Sequence, residues 1–355
     1  MKIARVEAIH LRIPSVYGGP PPPGERQWPL MNMLLVRVET DAGLVGWGEA
    51  FGHLACPTTR AALDALVAPL AAGADPLDAG LGGRLARALH SYCGGPVAFA
   101  LAGLDIALWD LRGQVEGAPL WRLLGGQPAA SVPAYASLLR YGDAETAADA
   151  AFHAIRRGHR QVKLHEAETT IFAAARAAVG PDVSLMLDVN CRWPAAEGLA
   201  RIEALKPFAP AWVEEPCWPP DLAVLAGLAR DGGIPLAAGE NAVSEDFPGL
   251  AGAGVAFLQP SVTKIGLTGA ATIAAFALER GARLAPHSAY FGPGLAATIH
   301  LCAATGATCE WFDCVLEANP GGAALSPKDG RLAVPQSLGI GIAIDEAVVA
   351  HYRVA

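Results

Sequence analysis

The sequence predicts an α/β fold: a modified, TIM-like (β/α)8 barrel that follows an N-terminal α+β capping domain. From about residue 130 onward, short apolar runs of strand length recur eight times. Ala- and Leu-rich stretches with helical spacing separate these runs, and such an alternation is typical of a closed parallel barrel. The first 127 residues do not follow the alternation, so we expect domains over residues 1–127, 128–327 and 328–355.

The capping domain is expected to begin with strands and to continue with helices. Residues 4–14 and 31–50 have the pattern of strands, with a turn at 41–43, and helical periodicity runs from about residue 58 to residue 124. The Pro- and Gly-rich segment 15–29 between the strands predicts a lid loop. The tail at 331–353 is expected to pack back on this domain.

The eight predicted barrel strands are short, and predicted helices connect them. Several of these helices close on a glycine at the position of a helix C-cap, namely Gly158, Gly180, Gly254 and Gly281. The predicted strands are residues 134–138, 161–165, 184–188, 211–215, 235–240, 256–261, 283–287 and 308–312.

Composition excludes several classes of function. The chain has 26 basic and 34 acidic residues, a net charge of -8, and no basic cluster, so nucleic acid is not an expected partner. Its seven cysteines are scattered without C-x-x-C spacing, which argues against a disulfide framework or a zinc ribbon and favours a reducing cytoplasm. The N-terminus lacks the pattern of a secretory signal, and the uncharged segment 284–309 contains prolines and glycines that do not suit a membrane span.

Polar residues recur with the period of the barrel unit. They follow one another at intervals of 23 to 26 residues, each at or just after the end of a predicted strand: Lys163, Asp188, Glu214, Glu240, Lys264, His287 and Glu310. The carboxyl ends of barrel strands meet at one rim, where the active sites of this architecture lie. His165 shares a strand face with Lys163, because side chains two positions apart in a strand point the same way. We therefore expect all eight side chains around one cavity.

Three of these residues form a candidate metal site. Asp188, Glu214 and Glu240 end consecutive strands, and their carboxylates would repel one another without a cation. An oxygen-only set prefers a hard cation, so Mg2+ is predicted, with Mn2+ as an alternative. Glu214 rather than Glu215 is the expected ligand, because the two neighbours alternate faces. The alternative is that these acidic residues cap helices or pair with surface lysines.

The basic residues flank the predicted metal on two sides. Lys163 and His165 lie on one side and Lys264 and His287 on the other, which suits removal of a proton next to a substrate carboxylate. A neighbouring divalent cation should lower the pKa of the lysine toward neutrality. Glu310 is expected either to donate a hydrogen bond to the developing enolate or to form an ion pair.

These residues resemble the enolase superfamily, and within it the mandelate racemase and muconate lactonizing enzyme group. The similar motifs span nearly the whole chain: AGLDIALWDLRGQVEGAPLWRLLGG, VKLH, MLDVN, WVEEP, AAGEN, TKIGLTG and VPQSLGIGI. The resemblance implies Mg2+ bound by Asp188, Glu214 and Glu240. It identifies Lys163 with the first lysine of a K-x-K pattern, and it places His165 where the second lysine usually stands.

The resemblance also implies roles around the rest of the site. His287 matches the histidine of a His and Asp dyad, with Ser261 in the place of the aspartate, so His287 is expected to act as an acid rather than as a strong base. Lys264 matches the lysine that lactonizing members use opposite the K-x-K pattern, so His287 and Lys264 are alternatives for the base opposite Lys163. The residues implied in substrate binding are Tyr17, Arg26, Trp28, His53, Asn190 and Ser261.

The predicted function is Mg2+-dependent proton abstraction alpha to the carboxylate of a small molecule. Dehydration of a sugar acid to a 2-keto-3-deoxy acid is favoured, because His287 without an aspartate is better placed to protonate a leaving hydroxide. A racemase, epimerase or cycloisomerase of the same group is the alternative, and a non-catalytic barrel that binds metal and carboxylate is a distant one. The resemblance further suggests a homo-oligomer.

Overall fold

The computed structural model of the protein describes residues 1–17, 19–21, 29–92, 94–218 and 220–354. The chain begins with an antiparallel sheet of β1 (Ile3–Tyr17), β2 (Leu30–Thr40) and β3 (Val45–Ala50). The predicted turn lies between the last two strands, where the backbone N–H of Gly43 donates to the carbonyl of Thr40 at 3.0 Å.

Helices follow this sheet along the chain. They are α1 (Cys56–Ala62), α2 (Ala68–Ala71), α3 (Leu81–Ala88), α4 (Pro96–Glu116) and α5 (Leu120–Leu123). The long helix α4 packs closely on β2 and β3, and this approach depends on glycine. A Cβ atom on Gly103 would lie 2.7 Å from a methyl of Val36 and 2.8 Å from the Cβ of Ala50.

All eight predicted barrel strands are present and parallel. They are β4 (Ser131–Ser137), β5 (Gln161–Leu164), β6 (Ser184–Asp188), β8 (Val213–Glu214), β10 (Leu236–Ala238), β11 (Phe257–Leu258), β12 (Arg283–Leu284) and β13 (Cys309–Phe312). From β4 to β12 each barrel strand pairs with the next one along the chain, and β13 pairs with β4. Among the described residues, β12 and β13 themselves do not pair. Two further strands, β7 (Trp193–Pro194) and β9 (Cys217–Trp218), pair beyond the ends of β6 and β8.

Within the part of the chain that the structure describes, seven α-helices connect these eight strands. They are α6 (Ala144–Arg156), α7 (Thr169–Val179), α8 (Gly198–Leu205), α9 (Leu222–Asp231), α10 (Phe247–Gly252), α11 (Val262–Arg280) and α12 (Pro293–Thr305). Helix α11 is long and apolar enough to span a membrane by length and composition. It is interrupted at Gly266, which has a φ of 78°, and it contacts α4 and α12 within the protein.

No α-helix directly follows β13: residues 313–345, all of which are described, contain none. After β13 the chain forms β14 (Cys314–Leu316), which pairs with β1, and then β15 (Arg331–Ala333), which pairs antiparallel with β4. The intervening sequence EANPGGAALSPKDG explains the difference, because its prolines and glycines break helices. The prediction of eight complete strand–helix units was therefore wrong by one helix, while the barrel class is confirmed.

The C-terminal tail contacts helix α4 and strand β1. The carboxylate of Asp110 in α4 accepts hydrogen bonds from the backbone N–H of Trp47 at 2.8 Å and of Ile340 at 2.9 Å. Helix α13 (Glu346–Tyr352) follows, and the N–H of Val354 donates to the carbonyl of His10. The domain boundaries at residues 127 and 327 stay predictions.

Candidate active site

Strand alternation directs the polar residues into the barrel. Trp212, just before β8, and Glu214 at its end face the barrel interior, and Val213 between them packs against the outer helices. Most of the predicted polar residues lie in or just after a barrel strand, above an interior apolar layer that includes Tyr135 and Met186. Lys264 is the exception, because it lies in the first turn of α11. The sequence-predicted residues therefore meet at one rim.

The three predicted metal ligands lie together. One carboxylate oxygen from each of Asp188, Glu214 and Glu240 falls within 4.8 Å of the others. Two oxygens on opposite sides of a Mg2+ or Ca2+ ion are roughly 4 to 5 Å apart, so the three groups fit around a single hard cation. Asp188 and Glu214 are fully buried, whereas Glu240 is half-buried. This carboxylate triad can hold a metal ion.

The charges of the triad are strongly coupled. Burial and the like charge of Asp188 raise the pKa of Glu214 well above its ordinary value. Burial acts in the same direction on Asp188, but Lys163 and His165 outweigh it and lower the pKa of Asp188 to about 2. Repulsion among buried carboxylates is the condition that a bound cation would relieve.

Lys163 lies beneath the triad, without solvent exposure. Its Nζ donates to Glu214 at 2.8 Å, lies 2.7 Å from Glu310 and is 3.7 Å from Asp188. Burial alone would lower the pKa of this lysine, but Glu214 and Glu310 raise it well above its ordinary value. The predicted lowering of the Lys163 pKa is therefore not produced by the protein's own groups, because three carboxylates surround the ammonium.

His165 lies on the same side, as the strand alternation predicts. Its Nε2 is 3.2 Å from Asp188, and its Nδ1 contacts the backbone carbonyl of Leu138. Both ring nitrogens therefore face oxygen acceptors. In contrast to Lys163, the His165 side chain keeps 15% exposure.

His287 lies on the opposite side of the triad. Its Nδ1 is 3.1 Å from Glu240 and 3.0 Å from Glu310, although neither contact has the alignment of a hydrogen bond. Glu310 also accepts hydrogen bonds from Ser137 Oγ and from the Ser288 backbone N–H, each at 2.7 Å. Burial would raise the pKa of Glu310, but Lys163 and His287 lower it well below its ordinary value. Of the two alternatives for Glu310, the geometry therefore favours the ion pair.

Ser261 does not orient the imidazole of His287 through its hydroxyl. A backbone bridge joins the two residues, but Ser261 Oγ is hydrogen bonded to the Tyr290 hydroxyl instead. The Tyr290 ring packs edge-on against His287, with centroids 6.0 Å apart. The carboxylate beside His287 thus comes from Glu310 on the neighbouring strand, which a position-by-position comparison with the dyad does not reveal.

The Lys264 ammonium is hydrogen bonded to groups beside the triad rather than to its carboxylates. Its Nζ donates to the backbone carbonyl of Glu240 and to Asn241 Oδ1, both at 2.8 Å, and lies 4.5 Å from the centre of the Phe51 ring. Burial lowers the pKa of Lys264. In this arrangement the lysine braces the backbone that carries Glu240.

Two of the predicted substrate-binding residues, Asn190 and His53, lie near different parts of the site. Asn190, with a φ of 46°, donates from its backbone and side-chain nitrogens to the two oxygens of Asp188 at 2.8 and 2.9 Å. His53 has a pKa lowered to about 4, first by desolvation and then by the charges of His287 and Lys264. Asn190 thus orients a candidate ligand, and His53 lies on the side of the two basic groups.

The remaining lid residues are only partly described. Tyr17 is half-buried at the end of β1 and packs against the barrel core. The predicted residues Arg26 and Trp28 lie outside the described residues.

The sequence interpretation missed two polar neighbours of the triad. Glu215 has a φ of 39°, and its carboxylate lies 3.4 Å from the amide nitrogen of Asn241, which also donates to Glu240 at 3.0 Å. Burial and the charge of Glu240 raise the pKa of Glu215 to about 7. The strict alternation of faces fails at Glu215 because its backbone leaves the extended conformation there. The position of Asn241 directly after Glu240 was the available signal.

Family comparison agrees with this geometry. Residues 30–125 match the mandelate racemase / muconate lactonizing enzyme N-terminal domain, and residues 145–348 match the enolase C-terminal domain-like family. The chain belongs to the enolase superfamily. Its membership of the mandelate racemase and muconate lactonizing enzyme group, its fold class and its nature as an enzyme of this superfamily are thereby confirmed.

Individual relatives cover nearly the whole chain. A D-galactonate dehydratase from Ralstonia nicotianae is 32% identical over 348 residues, 89% of this chain and 90% of that protein. A solved enolase superfamily member from Polaromonas sp. is 30% identical with a TM-score of 0.88, covering 100% of this chain and 98% of its own. A mandelate racemase/muconate lactonizing protein from Paracoccus denitrificans, solved with magnesium, is 27% identical with a TM-score of 0.84, covering 99% and 97%.

Proposed function

We propose that this enolase superfamily member removes the proton alpha to the carboxylate of a sugar acid and expels the β-hydroxyl as water, giving a 2-keto-3-deoxy acid. The observation that carries the proposal is the placement of proton-carrying groups on two sides of the carboxylate triad. His165 lies 3.2 Å from Asp188 on one side, and His287 lies 3.1 Å from Glu240 on the other. The D-galactonate dehydratases among the relatives support dehydration as the outcome.

Asp188, Glu214 and Glu240 would hold the metal, for which the oxygen-only set favours Mg2+, with Mn2+ as the alternative. When bound, the cation would neutralise the negative charge that develops on the substrate carboxylate. Of the two groups on strand β5, His165 is the better candidate for the base, because its side chain is partly exposed. Lys163 is fully buried between carboxylates and supplies a fixed positive charge below the substrate.

The second half of the reaction would use the other side of the site. His165 takes the alpha proton, and the electron pair left on the alpha carbon forms a double bond to the β carbon as the C–O bond breaks. His287 gives a proton to the departing hydroxide, so that water leaves, and the enol becomes the keto acid. Glu310, 3.0 Å from His287 Nδ1, stabilises the protonated imidazole from which that proton comes.

The same two-sided arrangement supports a second candidate. If the substrate has no β-hydroxyl, reprotonation by His287 on the opposite face gives racemisation or epimerisation. A cycloisomerase remains a further alternative within the group, and a non-catalytic barrel that binds metal and carboxylate is the distant one. A cytoplasmic location and a homo-oligomer stay predictions.

A substrate screen with one ligand variant tests the proposal. The protein with Mg2+ is incubated in deuterated water with a panel of sugar acids and hydroxy acids, and 2-keto product and deuterium incorporation are measured. We expect keto acid from the wild type, about 10²-fold or more less from Glu240→Gln, and wild-type rates from Glu279→Gln, an exposed carboxylate on α11.

Each other result has a defined meaning. Deuterium incorporation without loss of water identifies the racemase or epimerase instead. If Glu240→Gln changes neither turnover nor metal-dependent binding of a carboxylate, the catalytic assignment of the triad is wrong. Binding of metal and carboxylate by the wild type without turnover of any acid in the panel favours the non-catalytic barrel.

A further inference from the structure

An aromatic layer lies inside the barrel directly below the carboxylate triad. The rings of Tyr135 and Trp212 meet edge to face with centroids 5.7 Å apart, and Trp212 and Phe257 follow at 4.7 Å. Lys163 Nζ lies 5.7 Å from the centre of the Tyr135 ring, so the layer supports the lysine from below. Tyr135 and Trp212 are buried, whereas Phe257 is half-buried, and the three rings line a cavity on the side of the layer away from the triad.

Trp212 differs from the other rings because it reaches the triad with a hydrogen bond. Its Nε1–H donates to Glu214 Oε2 at 3.1 Å, while Lys163 donates to Oε1 of the same carboxylate at 2.8 Å. Two separate donors therefore hold the two oxygens of this candidate ligand. Rotation of a glutamate carboxylate about its last torsion is otherwise nearly free, so a single donor would leave its plane poorly defined.

We propose that Trp212 is a positioning residue, whose indole N–H sets the orientation in which Glu214 meets the cation. The inference rests on the proposed metal site. Packing alone does not explain the indole, because a phenylalanine would also pack in an apolar layer that already contains Phe257. What an indole adds is a donor aimed at the carboxylate. Groups that orient metal ligands in this way typically account for 10- to 100-fold in metal affinity.

Trp212→Phe removes the donor and keeps an aromatic ring. We expect its dissociation constant for Mg2+, measured by isothermal titration calorimetry in the absence of substrate, to rise 10- to 100-fold. The matched control is Trp193→Phe: Trp193 is equally buried and its Nε1–H donates to the backbone carbonyl of Ala167 at 2.9 Å. This control loses the same group without touching a candidate ligand, and its Mg2+ affinity should stay within about twofold of wild type.

The outcomes separate positioning from packing. If Trp212→Phe melts like Trp193→Phe and binds Mg2+ as the wild type does, the inference is overturned. If the wild type itself does not bind Mg2+, the proposed metal site is wrong, and with it both the proposed function and the role of Trp212. Should Trp212→Phe not fold, Trp212→Met takes its place, because methionine fills irregular space and donates no hydrogen bond. Unchanged Mg2+ affinity in that variant likewise overturns the inference.

Discussion

Lys163→Met is the substitution that most directly tests the electrostatics of the site. Methionine is similar in length and adds no charge, so the main change is loss of the buried ammonium. Lys163 Nζ lies 2.8 Å from Glu214, 2.7 Å from Glu310 and 3.7 Å from Asp188, and its side chain has no solvent exposure. Removal of one partner of a buried ion pair typically costs about 3–5 kcal/mol, because the other charge stays buried and unpaired. We expect a loss of this size in the free energy of unfolding at pH 8 without metal.

The same loss should depend on pH and on metal. Near pH 5 the loss should be smaller, because a carboxylate left unpaired can take up a proton. Mg2+ should stabilise the variant at least as much as the wild type, since a nearby positive charge that repels the cation has been removed. Turnover should fall about 10²- to 10⁴-fold even in the stabilised, metal-loaded variant, because the fixed charge below the substrate is lost.

Urea unfolding followed by tryptophan fluorescence measures these free energies, with EDTA or with Mg2+. Lys206→Met is the control: Lys206 pairs with Glu203 at the surface with its side chain 40% exposed, and exposed pairs contribute at most about 1 kcal/mol. The reasoning is refuted if Lys163→Met and Lys206→Met lose the same stability at pH 8 without metal. Such a result would mean that the buried carboxylates are not held by Lys163.

Two buried groups away from the triad should give opposite pH dependences. Glu49 caps the start of α12, and burial raises its pKa to about 7 from its ordinary 4.5. Between these two values the folded protein keeps the Glu49 proton that the unfolded chain releases, so the free energy of unfolding falls as pH rises toward 7. In urea unfolding, the free energy of unfolding of Glu49→Gln should therefore rise relative to that of the wild type by up to about 3 kcal/mol between pH 5 and pH 8. A difference between the two proteins that does not change with pH would contradict this. Burial lowers the pKa of His300 to about 4 from its ordinary 6.5, so the protein's free energy of unfolding falls as pH falls from 6.5 to 4. Over that acid range His300→Gln should lose about 3 kcal/mol less free energy of unfolding than the wild type. Urea midpoints that change equally with pH in the two proteins would disprove the lowered pKa of His300.

The identity of the barrel rim could be predicted from sequence because it depends on local periodicity. Strand alternation and a repeat of 23 to 26 residues place Asp188, Glu214 and Glu240 at the ends of neighbouring parallel strands, and the structure brings their oxygens within 4.8 Å. A parallel barrel converts that linear spacing into a ring without further information. The same argument placed Lys163 and His165 on one side of the triad and His287 on the other.

The partners of these groups depended on the tertiary structure. Glu310 rather than Ser261 stands beside His287, because which carboxylate reaches an imidazole depends on side-chain directions on neighbouring strands. The raised pKa of Lys163 is likewise a sum over carboxylates from three other strands, and it changes with ångström distances that the sequence does not contain.

Local backbone geometry decided the remaining differences. Glu215 lies at the rim because its backbone adopts a left-handed conformation. After the last barrel strand the chain forms β14, which pairs with β1 of the capping sheet, where a helix was expected. The sequence by itself determined the ring of polar residues, since periodicity is a local property. Only the tertiary structure decided which of them pair and how each is charged, since these depend on distances between segments far apart in the chain.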